Sequence, residues 1–189
     1  MNNPLSSVII VSILLLQQLN SNGAVKIKSK IALFENATKY RNPDYFSRYV
    51  IKFSEDRQSM DVEAVLIRNI TEPIWNRFSV EYKMKKDTNY RLMFNYETNV
   101  CEFLGKTTKE STNIFAIWIQ NILKYSNLPN SCPILAKIYS WKNFRIERNS
   151  IPPVLMNGYY RANITNFLKT YHGKLVINNS TMVALIKMK

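Results

Sequence analysis

Few side chains in this sequence can do covalent or acid–base chemistry. There are two cysteines, Cys101 and Cys132, and one histidine, His172. A cysteine nucleophile needs a base beside it, and His172 is the sole imidazole on offer. It follows Tyr171 and precedes Gly173, a turn-like setting rather than that of a general base. Glu35, Glu55, Asp56 and Asp61 are the carboxylates a glycosidase pair would draw on, but they read as strand ends and turns. No GxSxG elbow, HExxH helix, phosphate loop or dinucleotide fingerprint occurs. One His and two Cys are too few for a multi-His zinc site or a zinc finger. The chain therefore reads as non-enzymatic, with no catalytic residue, no metal and no cofactor expected.

What the cysteines do instead depends on compartment. Val8 to Leu16 is an apolar run, and no charged side chain precedes Lys26. The run is shorter than the about 20 residues a membrane-spanning helix needs. Ser21 and Gly23 supply small residues at the −3 and −1 positions of a cleavage before Ala24. Residues 1–23 read as a signal peptide, with an uncleaved anchor as the alternative, and residues 24–189 as a single secreted, extracellular domain. Behind such a leader, Asn36, Asn69, Asn163, Asn178 and Asn179, each opening an N-x-S/T sequon, become candidate glycosylation sites. In that compartment Cys101 and Cys132 can form one disulfide, with two separate thiols as the alternative.

These residues must be positioned by a core. The chain has 189 residues, 46% apolar and 12% aromatic, enough for one globular domain. Its middle reads in period two: Met60, Val62, Ala64 and Leu66; then Phe78, Val80, Tyr82 and Met84; then, across a Lys85–Asn89 turn, Tyr90, Leu92, Phe94 and Tyr96. Such alternation marks antiparallel strands with one buried face. Residues 25–34 and 46–53 are expected strands around an Asn42-Pro43-Asp44 turn. Candidates 134–139, 142–148, 158–164, 174–177 and 182–188 follow. One stretch is helical in period: Ser111 or Thr112 can cap a helix over 111–125, with Ile114, Trp118, Ile122 and Tyr125 on one stripe. The expected fold is mostly β, a two-sheet antiparallel β-sandwich or β-cup with one substantial α-helix inside the disulfide loop.

Charge narrows the partners. The formal net charge is +13, and residues 111–189 hold Glu147 as their single acid. A one-signed field can steer an anionic headgroup, a glycan or an acidic protein partner. A secreted chain without an aromatic–basic binding module is not expected to bind nucleic acid.

Cys101-Glu102-Phe103-Leu104, the apolar helix, Ser126-Asn127-Leu128-Pro129-Asn130-Ser131-Cys132-Pro133, Pro152-Pro153 and Gly158-Tyr159-Tyr160 follow in that order. This arrangement resembles a large insect family of small secreted proteins. That family is similar to CheB-type chemosensory proteins and, more remotely, to the ganglioside activator and the MD-2-related lipid-recognition superfamily. The resemblance implies a β-sandwich or β-cup whose separated sheets admit an acyl chain or another hydrophobic molecule. Some relatives are linked to gustatory or pheromone perception. Cys101 and Cys132 match the family's paired cysteines, and Gly158 its glycine before an aromatic, while a second cysteine pair is missing. The function expected is a secreted binding protein for a hydrophobic or lipid-like ligand. The alternative is a protein–protein interaction module with a solid core. Phe78, Val80, Tyr82, Leu92, Phe94 and Trp118 are the candidate pocket wall, with Tyr82 as its hydrogen-bonding specificity element.

Overall fold

The computed structural model describes residues 29–105, 120–152 and 154–188. The expected leader, residues 1–23, lies outside them, as do most of the expected helix and Trp118.

Among the described residues eight strands form two antiparallel sheets: β1 (Lys30–Arg41), β2 (Phe46–Phe53), β3 (Met60–Leu66), β4 (Ile74–Lys83), β5 (Arg91–Asn99), β6 (Ile138–Phe144), β7 (Gly158–Thr170) and β8 (Gly173–Met188). The larger sheet has the order β1-β8-β7-β4-β5 and the smaller one β2-β3-β6. β3 shows most directly why the sheets stack: Met60, Val62, Ala64 and Leu66 are all buried, while Asp61 between them is exposed. An amphipathic strand of this kind needs an apolar layer opposite, and the inner face of the larger sheet provides it.

The chain passes between the sheets four times, and the two shortest crossings are corners. At Asn42-Pro43-Asp44, the Asn42 Oδ1 accepts the Asp44 N–H at 2.9 Å and the Asn42 carbonyl accepts the Phe46 N–H at 3.0 Å. The Asn42 N–H donates to the Ile177 carbonyl at 2.8 Å, which ties this corner to β8. At the second corner, Ile70 pairs with Ile134 between β3 and β4. His172 sits with Tyr171 in the tight turn of the β7–β8 hairpin, where both are exposed.

The expectation of one substantial helix is corrected. Among the described residues the longest α-helix is α1 (Val100–Gly105), six residues directly after β5. Of the stretch 111–125, residues 120–124 are helical and residues 111–119 lie outside the described part. The chain then leaves helical pairing because β6 captures it. The Asn127 N–H donates to the Ser140 carbonyl at 3.2 Å, and the Lys142 N–H to the Tyr125 carbonyl at 3.1 Å. α1 is started by Asn99, whose Oδ1 accepts the Cys101 N–H at 3.0 Å, the kind of local bond that favours Asn at helix entries.

Cys101 and Cys132 are bonded to each other, with Cα atoms 5.5 Å apart. The bond joins α1 to the segment that leads into β6.

Gly158 opens β7 where nothing larger fits. A Cβ there would lie 2.6 Å from both the Lys83 carbonyl oxygen and the Tyr82 ring. The glycine lets the start of β7 close against the end of β4.

Candidate functional site

The space between the sheets is not filled. A cavity of about 280 Å³ lies there, at the small end of ligand-binding cavities. From the smaller sheet, β2 and β3 supply Phe46, Tyr49, Ile51, Val62 and Ala64, and β6 adds Tyr139 and Trp141. One end is lined by Val100 and Leu104 of α1, with Ile122 and Leu123 beside them. The disulfide therefore holds one wall of the cavity in place. No charged side chain lines the space among the described residues.

The larger sheet contributes a different surface. Strand registry places Thr98 of β5 opposite Asn76 of β4, Asn76 opposite Asn166 of β7, and Asn166 opposite Asn178 of β8. All four line the cavity, so a row of hydrogen-bonding side chains crosses four strands on an otherwise apolar face. The Asn76 Nδ2 donates to the Asn166 Oδ1 at 2.8 Å. Ser180 lies two residues beyond Asn178 on the same face of β8. From the opposite sheet Tyr49 meets this row: its phenol interacts with the Ser180 and Asn178 side chains. Burial pushes the Tyr49 phenol above its ordinary pKa, and the two polar neighbours only partly offset that. Tyr49 therefore stays neutral, a donor and an acceptor inside the cavity.

The six expected wall residues scatter. Phe78 lines the cavity. Val80 and Tyr82, in the same phase of β4, are buried instead in a closed cluster with Ala32, Ile151, Tyr160 and Ile186. There the Tyr82 hydroxyl donates to the Asn157 carbonyl at 3.2 Å, so Tyr82 is a structural anchor and not a cavity group. Phe94 packs on Phe78 with ring centroids 5.7 Å apart and on that closed cluster. Leu92 is 63% exposed. A bulge between Val80 and Glu81 puts Leu92 opposite Glu81, on the outer face, where alternation alone would keep it inside. Trp118 lies outside the described residues.

Among the sequons, Asn36 and Asn69 are exposed. The Asn69 Oδ1 accepts the Ala136 N–H at 2.8 Å, which leaves its amide nitrogen, the atom a glycan would take, unengaged by that bond. Asn163 points outward, but its Nδ2 donates to Ser79 and Glu81 at 3.3 Å. The Asn179 Nδ2 donates to the Thr165 Oγ1 at 2.6 Å. Asn178 departs from the outward placement expected of a glycan acceptor, because its side chain faces the cavity.

The carboxylates considered for acid–base work, Glu35, Glu55, Asp56 and Asp61, are all exposed. Asp56 is bonded to Ser54 and Gln58 in the β2–β3 turn, and the Asp61 Oδ1 accepts the Asn143 N–H. The Asp56 carboxyl sits below its ordinary pKa because of the Ser54 and Gln58 bonds. One cluster of positive charge among the described residues also lies outside the cavity. Arg77, Lys169 and Lys174 gather around Glu97 on the outer face, and the bonds from Lys174 and Arg77 hold its carboxyl below the usual range.

The polar row went unread because asparagine suggests a turn or a sequon. Its signal was present: Asn76 is two residues before Phe78, in the phase already assigned to the interior. A polar residue in the apolar phase of a strand marks a lined cavity or a buried hydrogen bond.

No curated protein matches this chain. Residues 77–162, from within β4 to the start of β7 and including both cysteines and Gly158, are similar to a family described as a protein of unknown function (DUF1091).

Proposed function

We propose that this chain is a secreted, non-enzymatic protein that encloses a hydrophobic molecule between its two sheets. The observation that carries the reading is the cavity of about 280 Å³ between the sheets, walled largely by aliphatic and aromatic side chains. A packed core of ordinary density leaves few voids larger than a water molecule. At about 30 Å³ per water-sized group, this one has room for about nine non-hydrogen atoms. Each buried methylene would contribute about 0.8 kcal/mol before association costs. The disulfide and the exposed Asn36 and Asn69 sequons support an extracellular setting. The resemblance to lipid-recognition relatives supports the same use of the cavity, and an accessory role in gustatory or pheromone perception rests on that resemblance alone.

Native mass spectrometry of protein secreted from an insect host tests this reading. A retained apolar adduct of low mass, displaced by added alkanols, is the expected result. Adduct-free protein that shows no saturable uptake of any short alkanol would defeat it.

One observation favours the alternative, an interaction module. β5 is an edge strand, and Leu92, Met93 and Tyr96 on it are all exposed. An open edge with apolar side chains can accept a strand from another chain. Replacing Leu92 and Met93 with Lys would abolish a partner complex formed this way and leave alkanol uptake intact.

A further inference from the structure

The row of amides defines the ligand more narrowly than the cavity does. We infer that the molecule held between the sheets is neutral and carries its hydrogen-bonding group within the chain rather than at one end: a secondary alcohol, a ketone or an ester. This rests on the binding reading above.

Three observations lead there. The first is charge: among the described residues no Lys, Arg or His lines the cavity. A carboxylate or phosphate placed inside would lose its water and find no counter-ion, which strongly disfavours the ionised form. Among the described residues, Arg77, Lys169 and Lys174 gather around Glu97 on the outer face instead.

The second is hydrogen-bonding capacity. A side-chain amide offers two donors and an acceptor oxygen with two lone pairs. The bond between Asn76 and Asn166 engages one donor of the first and one acceptor position of the second. The remaining groups on this pair, together with Asn178, Ser180 and the neutral Tyr49, can both donate and accept. A hydroxyl or carbonyl satisfies such groups, whereas a plain hydrocarbon covers them and leaves them without water.

The third is position. On β4, Asn76 lies between Ile74 and Phe78, and all three line the cavity. On β8, Asn178 and Ser180 lie between Ile177 and Met182, again all lining it. Apolar wall therefore extends to both sides of the polar row. A terminal headgroup seated on the row would leave one of those sides empty. A group inside the chain lets apolar segments cover both.

The test compares 4-heptanol, 1-heptanol, heptane and heptanoate at equal free concentration and pH 7.5, with affinities taken from the shift in Tm of the full secreted protein. The expected order places 4-heptanol first, about tenfold tighter than heptane, the worth of one net hydrogen bond. Heptanoate binds most weakly. In the Asn76→Leu/Asn166→Leu double variant, close in side-chain size, the advantage of 4-heptanol over heptane disappears while heptane still binds. Ser180→Ala offers a milder second variant in which the same advantage shrinks.

Heptane binding as tightly as 4-heptanol to the native protein overturns the inference and leaves the binding reading standing. So does heptanoate binding tightest. A match between 1-heptanol and 4-heptanol overturns the interior placement of the polar group. An alcohol advantage that survives in both variants overturns the assignment to the amide row. If none of the four compounds binds, the binding reading itself falls and takes the inference with it.

Discussion

β4 passes through two regions that differ although one face of the strand runs through both. Asn76 and Phe78 face the cavity, and Val80 and Tyr82, further along the same face, are packed in a closed cluster. The closed region has no sheet opposite it. It is covered by the connection between β6 and β7, which brings Ile151 and Leu155 down onto the larger sheet. There the chain packs to contact: the Tyr82 and Tyr160 rings are 4.9 Å apart, and the Tyr160 hydroxyl donates to the Met156 carbonyl at 2.8 Å. A loop can settle until its side chains touch. A three-stranded sheet moves as one hydrogen-bonded unit, so where it already touches the larger sheet, as Phe53 and Phe144 touch Phe34, it cannot also settle over the cavity. The open region is open because its cover is rigid.

The disulfide gives the largest test of that difference, since it secures the open region alone. Replacing both Cys101 and Cys132 with Ala should cost about 4 kcal/mol, as expected for a loop of this length. Chemical denaturation would measure it. Alkanol uptake should fall as well, because Val100 and Leu104 lose their tether.

Matched truncations come next. Ile186 belongs to the closed cluster and Ile164 lines the cavity. Ile186→Ala should cost about 3 kcal/mol, and Ile164→Ala about 2 kcal/mol or less, because one side of Ile164 already meets empty space. Equal losses in denaturant midpoint would contradict the division into a packed and an open region.

Alkali should act on the closed region through Tyr160. Burial, with the neighbouring Tyr82 adding to it, raises this phenol from 10.0 to about 12. Below pH 10 the group is neutral in both folded and unfolded chains, and its contribution is complete. Between pH 10 and about 12 the unfolded chain releases the proton first, so stability falls with rising pH and the contribution is gone above about 12. Urea midpoints measured across that window should decline less steeply in Tyr160→Phe than in the native chain.

The smallest effect belongs to Leu92. With its side chain on the outer face, Leu92→Ser should change stability by about 0.5 kcal/mol or less and leave alkanol uptake unaltered.

Leu92 also shows where sequence reading stops. Strands β2 and β3 occupy residues 46–53 and 60–66, the ranges that their alternation marks. The candidates 134–139 and 142–148 overlap a single shorter strand, β6 at 138–144, and 174–177 and 182–188 are parts of the continuous β8. Asn178, Asn179 and Ser180 pair with Asn166, Thr165 and Ile164 of β7, next to a bulge at Ile177, and so join the two candidates. Bulges are harder to see, because a single extra residue reverses the face of everything beyond it and leaves composition unchanged. The one at Val80/Glu81 moved Leu92 outward. The cavity was legible only as the inward phase of β4. Its opposite wall, with Tyr49 and Trp141, depends on how two sheets meet, and local periodicity does not encode that.

The unfilled space also makes the folded protein larger than its atoms require. Unfolding eliminates this loosely packed volume, so the system shrinks, and hydrostatic pressure drives it in that direction with a volume change on the order of tens of mL/mol. Compression should therefore loosen β2, β3 and β6 from the larger sheet, while the cluster around Tyr82 and Tyr160, with little volume to give up, holds longer. A molecule seated on the amide row removes the compressible volume, so the loaded protein should withstand higher pressure even where its gain in heat stability is slight.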